Sequence, residues 1–207
     1  MDTLVRLHTT WSRVFAEADP KTAKAEWLLL SGAYQHKGRR YHTLAHLAYL
    51  FDQLEACPIE PEDPDCLAAA IFYHDVVYAI NRKDNETKSA NRAAAVLARF
   101  GWTEERIERC VRHIRATAKH HWAEDPDTAL LVDLDLAILA ETPERYVTYA
   151  AQVRKEYWMY PDFLYRRGRQ QVLQHFLARN QLYNTDHFIE ECTAAARRNM
   201  RGELEGL

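Results

Sequence analysis

The stretch CLAAAIFYHDVVYAI, Cys66 to Ile80, limits the fold more than any other feature, because as a helix it is apolar around almost its whole circumference. A helix without a polar face has to be covered on every side, so it belongs at the centre of a domain with other elements wrapped round it. It is shorter than the ~20 residues that span a bilayer and carries His74 and Asp75 in its middle, which fits a core helix and not a membrane helix.

The elements around it are also expected to be helical. Six Gly and seven Pro in 207 residues are too few for the turns of an all-β domain, whereas Ala, Leu, Arg and Glu abound. The breakers fall between segments of helical period: Pro20 after Asp19, the CPIEPEDP stretch from Cys57 to Pro64, Gly101, Asp125 with Pro126, Thr142 with Pro143, and Tyr160 with Pro161. These limits predict helices over about 3–18, 21–35, 43–56, 65–80, 86–100, 103–119, 127–140, 143–158, 162–178 and 186–204. The expected fold class is all-α, a single compact domain over 1–207 forming a bundle of roughly 8–10 helices.

Composition then excludes several classes. Hydrophobic residues at 47% and charged residues at 28% rule out a disordered chain or a disulfide mini-scaffold. Lys and Arg number 27 against 30 Asp and Glu, a formal charge of −3, so there is no overall basic field for double-stranded nucleic acid and any affinity for anions is local. Cys57, Cys66, Cys110 and Cys192 form no CxxC pair, and MDTLVRLHTTWSR at the start lacks the apolar core of a secretion signal. Free thiols, a cytoplasmic reducing location and no membrane association are therefore expected.

Three segments carry chemistry. YHTLAHL, residues 41 to 47, spaces His42 and His46 four apart, on one face of a helix whose Leu47, Leu50 and Leu54 turn inward. A histidine on that face needs a partner for each ring nitrogen, from a core hydrogen bond or a metal. His74 and Asp75 sit inside the apolar helix, and a buried carboxylate needs an Arg or a metal ion beside it. In LLVDLDLAILA, residues 130 to 140, Asp133 and Asp135 are ~200° apart on a helix and cannot both serve one ion. Asp135 shares its stripe with Leu131, Leu134, Ile138 and Leu139 and is assigned to the site, with Asp133 supporting it or at the surface and held as the fallback ligand.

The set His46, His74, Asp75 and Asp135, in the order H, HD, D, resembles the HD superfamily of metal-dependent phosphohydrolases, whose helical core binds metal through that signature. YHTLAHL is similar to the YHxxxH element of the cyclic-nucleotide phosphodiesterase branch, which implies His42 as general acid and His46 as ligand. RRYHTLAH, FYHDVVY, DNETKSA, ATAKHH, DLDLAILA and VRKEY together resemble a group of uncharacterised HD-type predicted phosphohydrolases, over roughly residues 38 to 200, with Ala140 where that group has Gly. The HDxxED element of guanosine tetraphosphate hydrolases is absent, since Val76, Val77 and Tyr78 follow the HD pair.

The resemblance implies a hydrolase of a small phosphorylated substrate such as a nucleotide, using one or two divalent transition ions, Mn, Fe, Ni, Co or Zn. His42 and Asp75 are its candidate catalytic groups. His120, with His121 in reserve, is the candidate for a second metal or a phosphate, His113 is read as structural, and Arg39 and Arg154 are the candidate substrate contacts. Asn85 and Glu86 are read as a helix cap and its first-turn charge. A di-iron oxygenase and a non-catalytic binding module are the alternatives. The aromatic C-terminal third, with Trp158, Phe163 and Phe176, is either a homodimer face or core, and the sequence leaves the two open.

Overall fold

A computed structural model describes residues 2–207. Among them are ten α-helices and no strand: α1 Thr3–Val14, α2 Pro20–Tyr34, α3 Leu44–Ala56, α4 Pro64–Tyr73, α5 Asn85–Arg99, α6 Glu104–Ala116, α7 Pro126–Leu136, α8 Pro143–Glu156, α9 Asp162–Leu177 and α10 Asp186–Gly206. A single 3-10 turn, Ala137–Ala140, continues α7. No helix among the described residues is long and apolar enough to cross a membrane.

Local sequence determines most helix starts. Asp19, Asp63, Asp125 and Thr142 each accept a hydrogen bond from the backbone N–H three residues on. Each is followed by a proline in the first turn, where a missing N–H costs nothing. Every residue of α4 from Cys66 to Tyr73 is buried, and α1, α3, α5, α6 and α7 pack around it as its apolar circumference requires. Trp11 of α1 meets Phe72 edge-on at 5.4 Å between ring centres, and the Tyr34 hydroxyl donates to the Phe72 carbonyl at 3.0 Å. The last helices form a second group, with α8 and α10 packed on the 3-10 turn and α9 on α10. Of the aromatic residues left open between a dimer face and the core, Trp158 and Phe163 are 71% and 70% exposed at the corner between α8 and α9.

Several helices are shorter than their periodicity predicts, and they stop beside the residues of chemical interest. The segment after α4 is turned out of the helix at His74 because α5 and Arg39 take its peptide groups. Asn85 pairs with both the N–H and carbonyl of Ala79, at 3.1 and 3.0 Å, and the Ser89 hydroxyl with those of Val77. Asn85 is thus a clamp on this loop and makes no side-chain cap of α5. At α3 the cap is Thr43, so His42 lies ahead of the helix and does not share a helical face with His46.

Candidate metal centre

Nitrogen and oxygen donors converge where the start of α3, the end of α4 and the end of α7 meet. His46 Nε2 lies 3.1 Å from His74 Nε2, and both rings are buried. Asp75, in the turn after α4, brings Oδ2 to 3.3 Å from His74 Nε2. Asp135 brings Oδ1 to 3.4 Å from His46 Nε2 and 3.8 Å from His74 Nε2. Donor atoms of His46, His74 and Asp75 all lie within 4.8 Å of one another, so this group can hold a metal ion.

The donor chemistry fits such an ion. His74 Nδ1 donates to the Ile71 carbonyl at 2.8 Å, which leaves the Nε2 lone pair facing His46 and the carboxylates. Lone-pair nitrogens and carboxylates that face one another repel unless a proton or a cation lies between them. Without a cation, the site draws in protons: burial pushes His74 down, but Asp75 and Asp135 outweigh it and lift the ring to about 9. Burial pushes His46 down, outweighing the hydrogen bond to Asp135. Desolvation pushes Asp75 up, and His74 and His42 more than reverse it; His120 and His46 do the same for Asp135.

His120 reaches the other oxygen of Asp135, with Nε2 2.7 Å from Oδ2. Its φ of +48° is in the left-handed region, at a cost of order 1–2 kcal/mol for a residue with a Cβ. Arg179 holds it there by donating to the carbonyls of His120 and Lys119. His121 is exposed nearby, on the cavity rim.

His42 faces the cluster from the opposite side. Its Nε2 is 3.8 Å from Asp75 Oδ2, and its Nδ1 donates to Glu156 Oε2 at 2.7 Å. Glu156 is 1% exposed and fully engaged. Oε1 accepts the backbone N–H groups of Arg40, Tyr41 and His42 at 2.7, 2.8 and 3.0 Å, and Oε2 also accepts the Tyr78 hydroxyl at 2.8 Å. Desolvation raises its pKa, but His42 and these donors bring it down to about 2. Burial lowers His42, while Asp75 and Glu156 raise it above the usual value. Sequence reasoning missed Glu156. Its only signal in the sequence is the VRKEY element, in which it stands two residues after Arg154.

Both arginines singled out for substrate are engaged by the protein itself. Arg39 is buried and donates to the carbonyls of His42, Asp75 and Val76 at 3.1, 2.7 and 3.0 Å, with Tyr34 and Tyr78 stacked against it. It braces the turn that presents Asp75. Arg154 pairs with Asp162 and the carbonyls of Tyr157 and Tyr160, and so holds the α8–α9 corner. Asp133 is wholly buried and accepts four hydrogen bonds from Asn184 and Thr185 at 2.7–3.1 Å, which fixes the turn that leads into α10. His113, read as structural, is buried, with Nδ1 2.7 Å from the Thr128 hydroxyl.

A cavity of about 980 Å³ opens in front of His42 and His120. A smaller one of about 130 Å³ shares those two residues and Tyr149 and reaches Asp135. Tyr78, Tyr149, Tyr157, Tyr160 and Tyr165 wall the larger space together with Lys119, Arg169 and Arg179, and no carboxylate lines it among the described residues. No family model matches the chain, and no curated protein or solved structure does either.

Proposed function

We propose that this chain is a metal-dependent phosphohydrolase of the HD type, cleaving a phosphate ester of a small metabolite or nucleotide. One observation carries the reading: His46, His74, Asp75 and Asp135 converge beneath a cavity whose walls are aromatic and cationic, with the Nε2 of His42 directed at the same point. These four side chains would hold a divalent ion, Mn, Fe, Ni, Co or Zn. When bound, the ion supplies Lewis acidity and an acidified water at neutral pH.

The chain's own groups do the rest. The cationic wall attracts the phosphate and the tyrosines exclude bulk water around it. Water attacks phosphorus, the P–O bond to the leaving group breaks, and the leaving oxygen takes the proton from His42 Nε2. Glu156 keeps the proton on Nδ1 and favours the imidazolium that must give up the other one, the role a carboxylate plays behind any acid–base histidine.

Elemental analysis of the parent beside Asp75→Ala tests the reading. One or two equivalents of transition metal in the parent and almost none in the variant, with phosphate-ester hydrolysis lost in parallel, is the expected result. Two equivalents would assign the second ion to His120. No metal in either protein after incubation with Mn, Fe, Ni or Zn would make Asp75 an ion-pair residue and replace the enzyme with a binding module.

A further inference from the structure

Beyond His120 the large cavity adjoins a second cleft of about 400 Å³, and His120, His121, His175 and Arg179 line both. Lys119 joins the same wall from the large cavity, and no carboxylate lines either space among the described residues. Arg179 carries the imbalance furthest. Its terminal nitrogens donate to backbone carbonyls, its Nε is buried without a partner, and it makes no ion pair among the described residues. Burial with no counter-charge lowers its pKa. A half-buried guanidinium without an anion is a ready place for one.

The far end of the second cleft has a different character. Trp122 is 67% exposed there, beside the exposed amides of Asn180 and Gln181. An exposed indole offers a face on which any nucleobase can stack, and amides can pair with base edges. Along this surface the candidate metal centre and its tyrosine-lined cavity come first, then the cationic wall, then the indole.

We propose that the chain binds a short single-stranded phosphodiester, a 5′-phosphorylated dinucleotide or the end of an oligonucleotide, with the scissile phosphate at the candidate metal centre, the next phosphate against Lys119, His175 and Arg179, and a base on Trp122. The placing of the scissile phosphate rests on the phosphohydrolase reading, whereas the second subsite stands on its own residues.

The test is equilibrium binding to the full chain as purified, comparing a 5′-phosphorylated, cleavage-resistant phosphorothioate-linked thymidine dinucleotide, which carries two phosphates, with thymidine monophosphate. The dinucleotide is expected to bind at least ~10-fold more tightly, and Trp122→Ala and Lys119→Ala each to reduce that ratio by roughly 5-fold or more, with thermal melting confirming that both variants fold. Equal affinities in the parent, or a ratio unchanged in both variants, would overturn the proposal. Metal-supplemented hydrolysis of bis(4-nitrophenyl) phosphate separates the two readings. Hydrolysis without dinucleotide preference removes the subsite and leaves the hydrolase, and a preference that Trp122→Ala abolishes, without hydrolysis of any ester, supports the subsite and removes the hydrolase.

Discussion

His42 is useful to a reaction only because Glu156 restricts it. A free imidazole exchanges its proton between two nitrogens and rotates, whereas here Nδ1 is tied to a carboxylate that five donors immobilise, so the exchangeable proton is on Nε2. His42→Ala should therefore keep its metal and lose a factor of about 10² to 10⁴ in turnover, checked by elemental analysis and steady-state rates on one preparation. Loss of metal in that variant would make His42 a ligand. Glu156 also has a signature independent of activity. It is held at about 2 against an ordinary 4.5, and a carboxyl whose pKa is depressed by folding adds stability above its unfolded value and loses it as pH falls through the folded one. The parent should thus lose on the order of 3 kcal/mol from this group on acidification from about 4.5 to about 2. Glu156→Gln should start less stable at neutral pH and unfold with a flatter pH dependence in that window; denaturant curves that fall in parallel would refute it.

The helix starts were legible in the chain because capping is local: Asp63 and Asp125 bond to N–H groups three residues away and a proline follows each. Helix ends at the site were not, because distant partners set them. Periodicity carries α4 on to Ile80, and only Arg39, Asn85 and Ser89, from other elements, explain why the backbone leaves it at His74. The same division separates the two aspartates of α7. Asp135 could be assigned from its apolar stripe, whereas the role of Asp133 depends on Asn184 and Thr185, 51 and 52 residues further on. Glu156 was hidden for the same reason, its partners at Arg40 and His42 being 116 and 114 residues away. Asp133→Ala leaves four donors of half-buried Asn184 and Thr185 without their acceptor and should cost about 2 kcal/mol, a fall of roughly 4–8 °C in Tm for a chain of this size. Its metal content should match the parent's, while Asp135→Ala loses metal, and calorimetry with metal analysis on both variants separates the carboxylate that holds the turn before α10 from the candidate ligand. Equal metal loss in the two would make Asp133 part of the metal site.

At the scale of the molecule, the candidate ligands come from α3, the turn after α4 and α7, three elements that pack on one another, so an ion there would tie the central helices together. His120 extends the tie to the loop after α6, and Arg179 joins that loop to the segment after α9. Such a joint exists only in the folded chain, since the unfolded chain scatters its ligands over about ninety residues, from His46 to Asp135. Binding to the folded state alone stabilises by RT ln(1 + [L]/Kd), about 2.7 kcal/mol when free metal is 100 times Kd. For a domain of this length that corresponds to a rise in Tm of roughly 5–10 °C. The sign follows from the charges: with no cation present the two carboxylates lift His74 to about 9, so its ring holds a proton at neutral pH that a divalent ion has to replace, and the gain should grow as pH rises from about 6 to 8. Scanning calorimetry across a metal titration should show a Tm that climbs with the logarithm of free metal in the parent and stays flat in Asp75→Ala. A parent whose Tm ignores every transition ion would mean that protons, and no metal, hold this cluster in the working protein.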